Sequence, residues 1–209
     1  MSEIKIGRIV LGVCTTNCYL VYRKDSNKVI IVDPADAGDQ IYSMVTGKGF
    51  EVEAIFLTHG HFDHILGAKA LKEATGVQIY ALAEEKELCE SVKRNLSEWG
   101  GKAYTLTPDV LVRDGEKITV ADMTCKVIAT PGHTEGSCCY YFEEDGIVLS
   151  GDTIFQESVG RTDFPTGSTS KLVRSIREKI FVLPDETLLY PGHGDSTTVG
   201  HEKQYNPCV

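Results

Sequence analysis

Thr58-His59-Gly60-His61-Phe62-Asp63-His64 comes directly after the apolar run Ala54-Ile55-Phe56-Leu57. Three of the chain's six histidines and one aspartate fall within that short window. Neutral imidazole nitrogen and carboxylate oxygen are the donors that zinc, manganese and ferrous iron accept. A solvated histidine-rich loop is the bland reading. The HxHxDH spacing at the end of an apolar strand points instead to a metal site.

Three later runs have the same form. Cys125 to Ala129 leads into Thr130-Pro131-Gly132-His133, Gly146 to Leu149 into Ser150-Gly151-Asp152, and Thr187 to Leu189 into Tyr190-Pro191-Gly192-His193. Each motif alone reads as an ordinary turn. Four apolar strands that each end in a metal-ligand residue type predict convergence, because ligands gather at the carboxyl ends of strands in open α/β sheets. Pro-Gly before His133 and His193 shapes a tight turn that aims the next side chain back over the strand end. His59, His61, Asp63, His64, His133, Asp152 and His193 outnumber the four ligands of one tetrahedral ion. Two divalent ions sharing a carboxylate fit better, and such a pair suits hydrolysis by hydroxide formed from water at neutral pH. Asp33, which follows the strand Lys28 to Val32, reads either as an acceptor that orients a ligand imidazole or as a turn-starting aspartate.

Outward from these motifs, Ile4 to Leu11, Cys18 to Arg23 and Lys28 to Val32 read as strands, with a helix over Gly38 to Thr46 ended by Gly47 and Gly49. A helical face over Ile65 to Ala74 and a strand at Val77 to Ala81 complete a strand-loop-helix-strand pattern, the mark of an α/β layer. Leu82 to Trp99 reads as a charged, helix-like surface segment, and residues 103–116 as irregular. Strands at Lys117 to Val120 and Thr124 to Ala129 flank a turn at Ala121-Asp122. Phe155 to Ser170 follows Asp152 closely enough to form a wall of the site. In it, Arg161 either holds an anionic substrate group or pairs with Asp163 on the surface. Ser170 is the expected N-cap of a helix over Lys171 to Ile180, and His201 is expected outside the ligand set.

Composition narrows the partners. The chain has 209 residues, 42% of them hydrophobic, enough for a sizeable core. With 21 basic and 30 acidic residues its net charge is −9, which repels nucleic acid and anionic membrane surfaces. No charged leader precedes a long apolar region and no stretch reaches membrane-spanning length, so a soluble, cytoplasmic protein is expected. Seven cysteines without zinc-ribbon spacing read as mostly buried thiols. Cys14 and Cys18 are alternatively a redox pair. Strand alternation would send Cys138 and Cys139 to opposite faces, whereas a soft-metal site would need them together.

THGHFDH, then His133 in TPGHTEGS, Asp152 in SGDTIF and His193 in YPGHG, resemble the successive motifs of metallo-β-lactamase-fold hydrolases, in order and across most of the chain. The resemblance implies one α/β domain over residues 1–209, an αββα four-layer sandwich with the metal site at one edge of the two sheets. It implies one metal on His59, His61 and His133 and a second on Asp63, His64 and His193. Asp152 would bridge them, Asp63 and Asp152 would be the catalytic carboxylates, and zinc would be the metal, with iron or manganese as substitutes.

GRTDFPTGS and GHEKQYNP are most similar to the short glyoxalase II branch, related to hydroxyacylglutathione hydrolase, which cleaves thioesters such as S-D-lactoylglutathione. The implied substrate is a small-molecule thioester. Arg161 sits where that branch carries a substrate-binding lysine, while Asp163 replaces a tyrosine that contacts the thiol carrier. Sixteen residues follow His193, too few for the helical C-terminal domain of the full-length enzymes. The main zinc class of metallo-β-lactamases carries cysteine at Asp152, which disfavours lactam hydrolysis. The flavodiiron branch carries glutamate at His61. Persulfide dioxygenases share GRTDF and use one iron on residues matching His59, His133 and Asp152, so they are the rival reading. Nothing in the sequence sets the oligomeric state.

Overall fold

Runs dense in Val, Ile and Tyr pair first: β1 (Ile4–Leu11), β2 (Thr16–Arg23) and β3 (Lys28–Val32) form an antiparallel meander. The computed structural model describes residues 2–209. After β3, α1 (Gly38–Gly47) returns the chain to β4 (Glu51–Phe56), parallel to β3. Then α2 (Phe62–Ile65) and α3 (Ala68–Thr75) lead to β5 (Ile79–Leu82), and α4 (Lys86–Cys89) precedes β6 (Val110–Val112). These strands form one six-stranded sheet in sequence order.

The second half contributes β7 (Lys117–Val120), β8 (Met123–Ala129), β9 (Cys138–Phe142) and β10 (Ile147–Gly151). A small hairpin of β11 (Ile154–Phe155) and β12 (Ser158–Val159) follows, then α5 (Thr169–Ser175), β13 (Leu188–Pro191), β14 (Thr197–Thr198) and α6 (Val199–Tyr205). The second sheet has the order β14-β13-β10-β9-β8-β7. Among the described residues no helix is long and apolar enough to cross a membrane.

Strand alternation assigns each side chain to a layer. Tyr19, Val21, Ile30 and Phe56 of the first sheet meet Val127, Tyr140 and Leu149 of the second. The Phe56 and Tyr140 rings lie 4.7 Å apart across that interface. Cys18, Leu20 and Ile31 face the other way, under Ile41, Val45 and Leu71 of α1 and α3. Cys139, Val148 and Leu189 pack under Leu172 and Ile176, with Val199 of α6. The result is the αββα four-layer sandwich that the motifs implied. Cys138 faces the inter-sheet core and Cys139 the helix layer, as alternation requires.

Polar ties fasten both ends of the sandwich. At one rim the Tyr140 hydroxyl donates to the Leu57 carbonyl at 2.9 Å, the Cys138 amide to Thr58 at 2.9 Å, and the Asn17 amide to Gly192 at 2.7 Å. At the far end the buried Arg23 guanidinium reaches Asp145 at 3.0 Å and the Ser2 carbonyl at 2.6 Å.

Four local readings change. Leu82 to Trp99 is not a helix but a short 3-10 turn at Ala83–Glu85, α4, and further turns. This segment packs inward: Glu85, Leu88, Asn95 and Ser97 are buried, and the Asn95 amide donates to the Tyr104 carbonyl at 2.8 Å. The helix expected over Ile65 to Ala74 breaks at Gly67, whose N–H donates to Pro34 at 2.8 Å. The stretch expected to be irregular contains β6, which is short and relies on β5 for its ladder. The helix cap is Ser168, not Ser170; its hydroxyl accepts from the Lys171 amide, and the helix widens into a π turn at Ile176–Ile180. The Ala121-Asp122 turn forms as read, with φ of 53° and 59°, the left-handed pair that a two-residue hairpin needs.

Equilibrium urea denaturation checks the inter-sheet core: Phe56→Ala is expected to lose about 3–5 kcal/mol. Tyr140→Phe, which leaves the Leu57 carbonyl with only the weak Cys138 thiol donor at 3.8 Å, is expected to lose about 1–2 kcal/mol.

Candidate metal centre

Six strands deliver polar groups to one rim. Asp33 follows β3, the THGHFDH loop follows β4, and Glu85 follows β5; His133 follows β8, Asp152 follows β10, and His193 follows β13. Since β8 and β10 are both antiparallel to β9, and β13 is parallel to β10, the three ends of the second sheet point the same way. Two glycines let the loops close. A Cβ on Gly192 would sit 2.2 Å from Asp152 Oδ1, and one on Gly132, at φ +148°, would sit 2.3 Å from the Leu172 backbone. The Pro-Gly-His turns therefore tolerate no side chain at their centres.

All seven donors meet. His133 Nε2 lies 2.9 Å from His61 Nδ1 and 3.2 Å from His59 Nε2. A tetrahedral ion with bonds of about 2.0–2.1 Å sets its ligand atoms roughly 3.3 Å apart, so this triad has the spacing of a coordination edge. The second triad is Asp63, His64 and His193. Asp63 Oδ2 is 3.6 Å from His64 Nε2 and 3.4 Å from His193 Nε2. Asp152 reaches both sets: Oδ1 is 3.4 Å from His64 Nε2, and Oδ2 is 3.5 Å from both His133 Nε2 and His193 Nε2. Buried His64 Nε2 and Asp152 Oδ1 have no hydrogen-bond partner. Orphaned atoms facing each other in a cluster of imidazoles and carboxylates fit a pair of cations, and the cluster fits a dinuclear metal site.

The outward faces of His64 and His133 are held by the surrounding chain, whereas buried His61 Nε2 has no partner. Asp33 accepts from the Thr58 amide at 2.8 Å, the Thr58 hydroxyl at 2.6 Å and His64 Nδ1 at 2.9 Å. This leaves His64 Nε2 to face the cluster. The Arg161 carbonyl accepts from His133 Nδ1 at 2.7 Å, which does the same for His133. The Arg161 guanidinium lines the cavity wall, yet it is fork-bonded to Asp163 at 3.0 and 2.8 Å. His201 lies outside the cluster, 3.0 Å from Glu157. Cys14 borders the cavity, while Cys18 is sealed in the helix-side core, where burial pushes its thiol up.

Electrostatics divide the donors. Burial lowers His59, His61 and His133, His61 to about 3, so these imidazoles are neutral and ready to donate. Burial also opposes charge on His64, but Asp63, Asp152 and Asp33 outweigh it and raise His64 to about 9. At His193 the two carboxylates Asp152 and Asp63 likewise overcome burial and raise it to about 10. Burial works against ionised Asp63 and Asp152, and His64 and His193 more than offset it, holding Asp152 at about 2.

Sequence reasoning missed two supports, Glu85 and Thr16. Glu85 Oε1 accepts from the Gly60 amide at 2.8 Å and Oε2 from the Thr134 hydroxyl at 3.0 Å, joining the two histidine loops. The Thr16 hydroxyl donates to Asp63 at 2.8 Å. Glu85 was within reach of the strand-end rule, since it follows β5, but its charged neighbours suggested a surface segment.

The family model described as the metallo-beta-lactamase superfamily matches residues 11–193. The chain belongs to this superfamily. Among its relatives, a protein of Bacillus subtilis (strain 168) named probable metallo-hydrolase YqgX is 34% identical, over 99% of this chain and 98% of the relative. Hydroxyacylglutathione hydrolase GloC of Haemophilus influenzae (strain ATCC 51907 / DSM 11121 / KW20 / Rd) is 34% identical, over 92% of each. Two solved structures superpose closely. BLEG-1 B3 metallo-beta-lactamase has a TM-score of 0.92 at 34% identity, over 97% of this chain and 98% of its own. TTHA1623 in a di-iron-bound form has a TM-score of 0.85 at 30% identity, over 97% and 100%.

Glu85 carries a pH signature. Burial raises its carboxyl from 4.5 to about 7, against the hydrogen bonds from Gly60 and Thr134 that pull it down. Because the folded value lies above the unfolded one, its contribution to stability is fully present below about pH 4.5 and is lost as pH rises through about 7. Unfolding free energies measured in urea across this range are expected to fall for the wild type relative to Glu85→Gln by up to about 3 kcal/mol.

Proposed function

We propose that the protein is a metallo-hydrolase that binds two divalent cations, zinc first with iron or manganese as substitutes, and cleaves a small acyl thioester. S-D-lactoylglutathione or a related acyl-thiol is the model substrate. One observation carries the reading: the Asp152 carboxylate stands between two donor triads, within 3.5 Å of His133 and His193 through one oxygen and 3.4 Å of His64 through the other. The likeness to GloC supports the thioester, and the likeness to YqgX supports hydrolysis.

His59, His61 and His133 would hold one cation and Asp63, His64 and His193 the other, with Asp152 shared. A pair of such ions supplies Lewis acidity for a carbonyl and brings the pKa of bound water towards neutrality. The chain's own groups prepare this. Asp33 and the Arg161 carbonyl fix the tautomers of His64 and His133, and the Thr16 hydroxyl orients Asp63. Asp63 and Asp152 remain ionised, so both are available as proton acceptors and as anionic donors. Phe62, Phe155 and Phe164 line the cavity beside the cluster. A thiol leaving group has an ordinary pKa near 8.5, so its departure needs little help from an acid.

The likeness to BLEG-1, named a B3 metallo-beta-lactamase, favours lactam hydrolysis as a second reading on the same donors. The two carbonyl substrates differ in the leaving group, and assays separate them.

Elemental analysis is expected to give two metal ions per chain, with turnover of S-D-lactoylglutathione or an acyl-thiol exceeding that of a chromogenic cephalosporin. Asp152→Ala is expected to lower kcat/KM by roughly a hundredfold or more, beyond any loss of folding stability. One iron per chain with persulfide-dependent oxygen uptake would sink the hydrolase reading. Cephalosporin turnover alone would sink the thioester.

A further inference from the structure

The cavity above the donors encloses about 450 Å³, the size of a site for a small organic molecule. Val13, Phe62, Leu96, Trp99, Phe155 and Phe164 build its walls. Trp99 is 73% exposed and Val13 86%, so two large apolar surfaces stand bare at the mouth. Exposed apolar surface gathered at one concave site marks a binding face.

Phe164 joins that mouth to the chemistry. Its ring meets His61 edge-on at 5.6 Å and Trp99 at 5.9 Å, with an interplanar angle of 69° to Trp99. The loop that carries it is tied down, by Ser168 N–H on the Gly132 carbonyl at 2.7 Å and by His133 on the Arg161 carbonyl. A Cβ on Gly100 would strike the Phe62 ring at 2.7 Å, so the turn after Trp99 packs closely against that ring. Trp99 and Phe164, in edge-to-face contact, are thus held as one aromatic wall of the slot above the donors.

Among the described residues that line the slot there is no unpaired cation; Lys102 borders the adjoining cavity. Arg161 is the one Lys or Arg among the lining residues; its guanidinium is fork-bonded to Asp163 and lies 4.3 Å over the Phe164 ring. A carrier with several carboxylates would meet paired charge and aromatic edges there, in a chain of net charge −9.

We propose that the substrate thioester presents a flat, uncharged, aryl-sized group to the Trp99–Phe164 slot. This rests on the thioesterase reading for the bond that is cleaved, and it narrows what flanks that bond. The group sits on either the acyl or the thiol side, and the substrates below separate the two.

Trp99 is the chain's single tryptophan, so its fluorescence reports the slot without any turnover. The thioether S-benzyl-N-acetylcysteamine, which has no thioester to cleave, is expected to shift and quench Trp99 emission in the metal-loaded protein, whereas the S-methyl compound is not. In kinetics, S-phenylacetyl-N-acetylcysteamine places the ring on the acyl side and benzyl thioacetate on the thiol side. One of them is expected to exceed S-acetyl-N-acetylcysteamine in kcat/KM by roughly tenfold or more. Trp99→Ala and Phe164→Ala, with metal content checked, should bring that ratio close to one. Turnover with no aryl preference and no emission change would overturn the slot and leave the thioesterase reading intact. An emission change with no turnover of any thioester would uphold the slot and overturn the thioesterase reading.

Discussion

The carbonyls just beyond β4 hold the two sheets in register. Leu57 accepts from the Tyr140 hydroxyl and Thr58 from the Cys138 amide, so the start of the THGHFDH loop is bonded to the start of β9 in the opposite sheet. The loop bearing His133 ends where β9 begins, and it is thereby set against His59 and His61. Phe56 and Tyr140 pack one residue-step below, and this dry contact keeps water from competing for those bonds. The strand-end donors of both sheets reach a common height because this seam fixes it.

The two donor sets built on that seam have opposite electrostatic characters. The imidazoles of the first are depressed by burial and give up their lone pairs without releasing a proton. Those of the second are raised by Asp63 and Asp152, so a cation entering there displaces protons and competes with them. Asp152 couples the two, because its oxygens face both sets.

Much of this was legible in the residues. β1 and β3 match their apolar runs in full, and the four strand-end motifs meet as their shared position required. Local patterning succeeds where a strand is buried on both faces and a ligand motif follows. It fails where burial is tertiary: Glu84, Glu85, Lys86 and Glu87 look like a solvated face, yet Glu85 turns inward because Gly60 N–H and the Thr134 hydroxyl await an acceptor. The break at Gly67 depends on the Pro34 carbonyl, thirty-odd residues away, and no window of sequence carries that information. Ser168 displaced Ser170 as cap because the Gly132 carbonyl fixes the Ser168 amide and sets where the helix starts.

The Arg23–Asp145 pair closes the sandwich at the end opposite the metal cluster. Every metal-ligand candidate lies just past a strand end, Asp63 and His64 in α2 and the others in loops, and none in a strand interior. In such a frame Trp99 and Phe164 line the cavity without belonging to the donor cluster, so a change at either alters the cavity wall and leaves the seven donors and the layers beneath them in place.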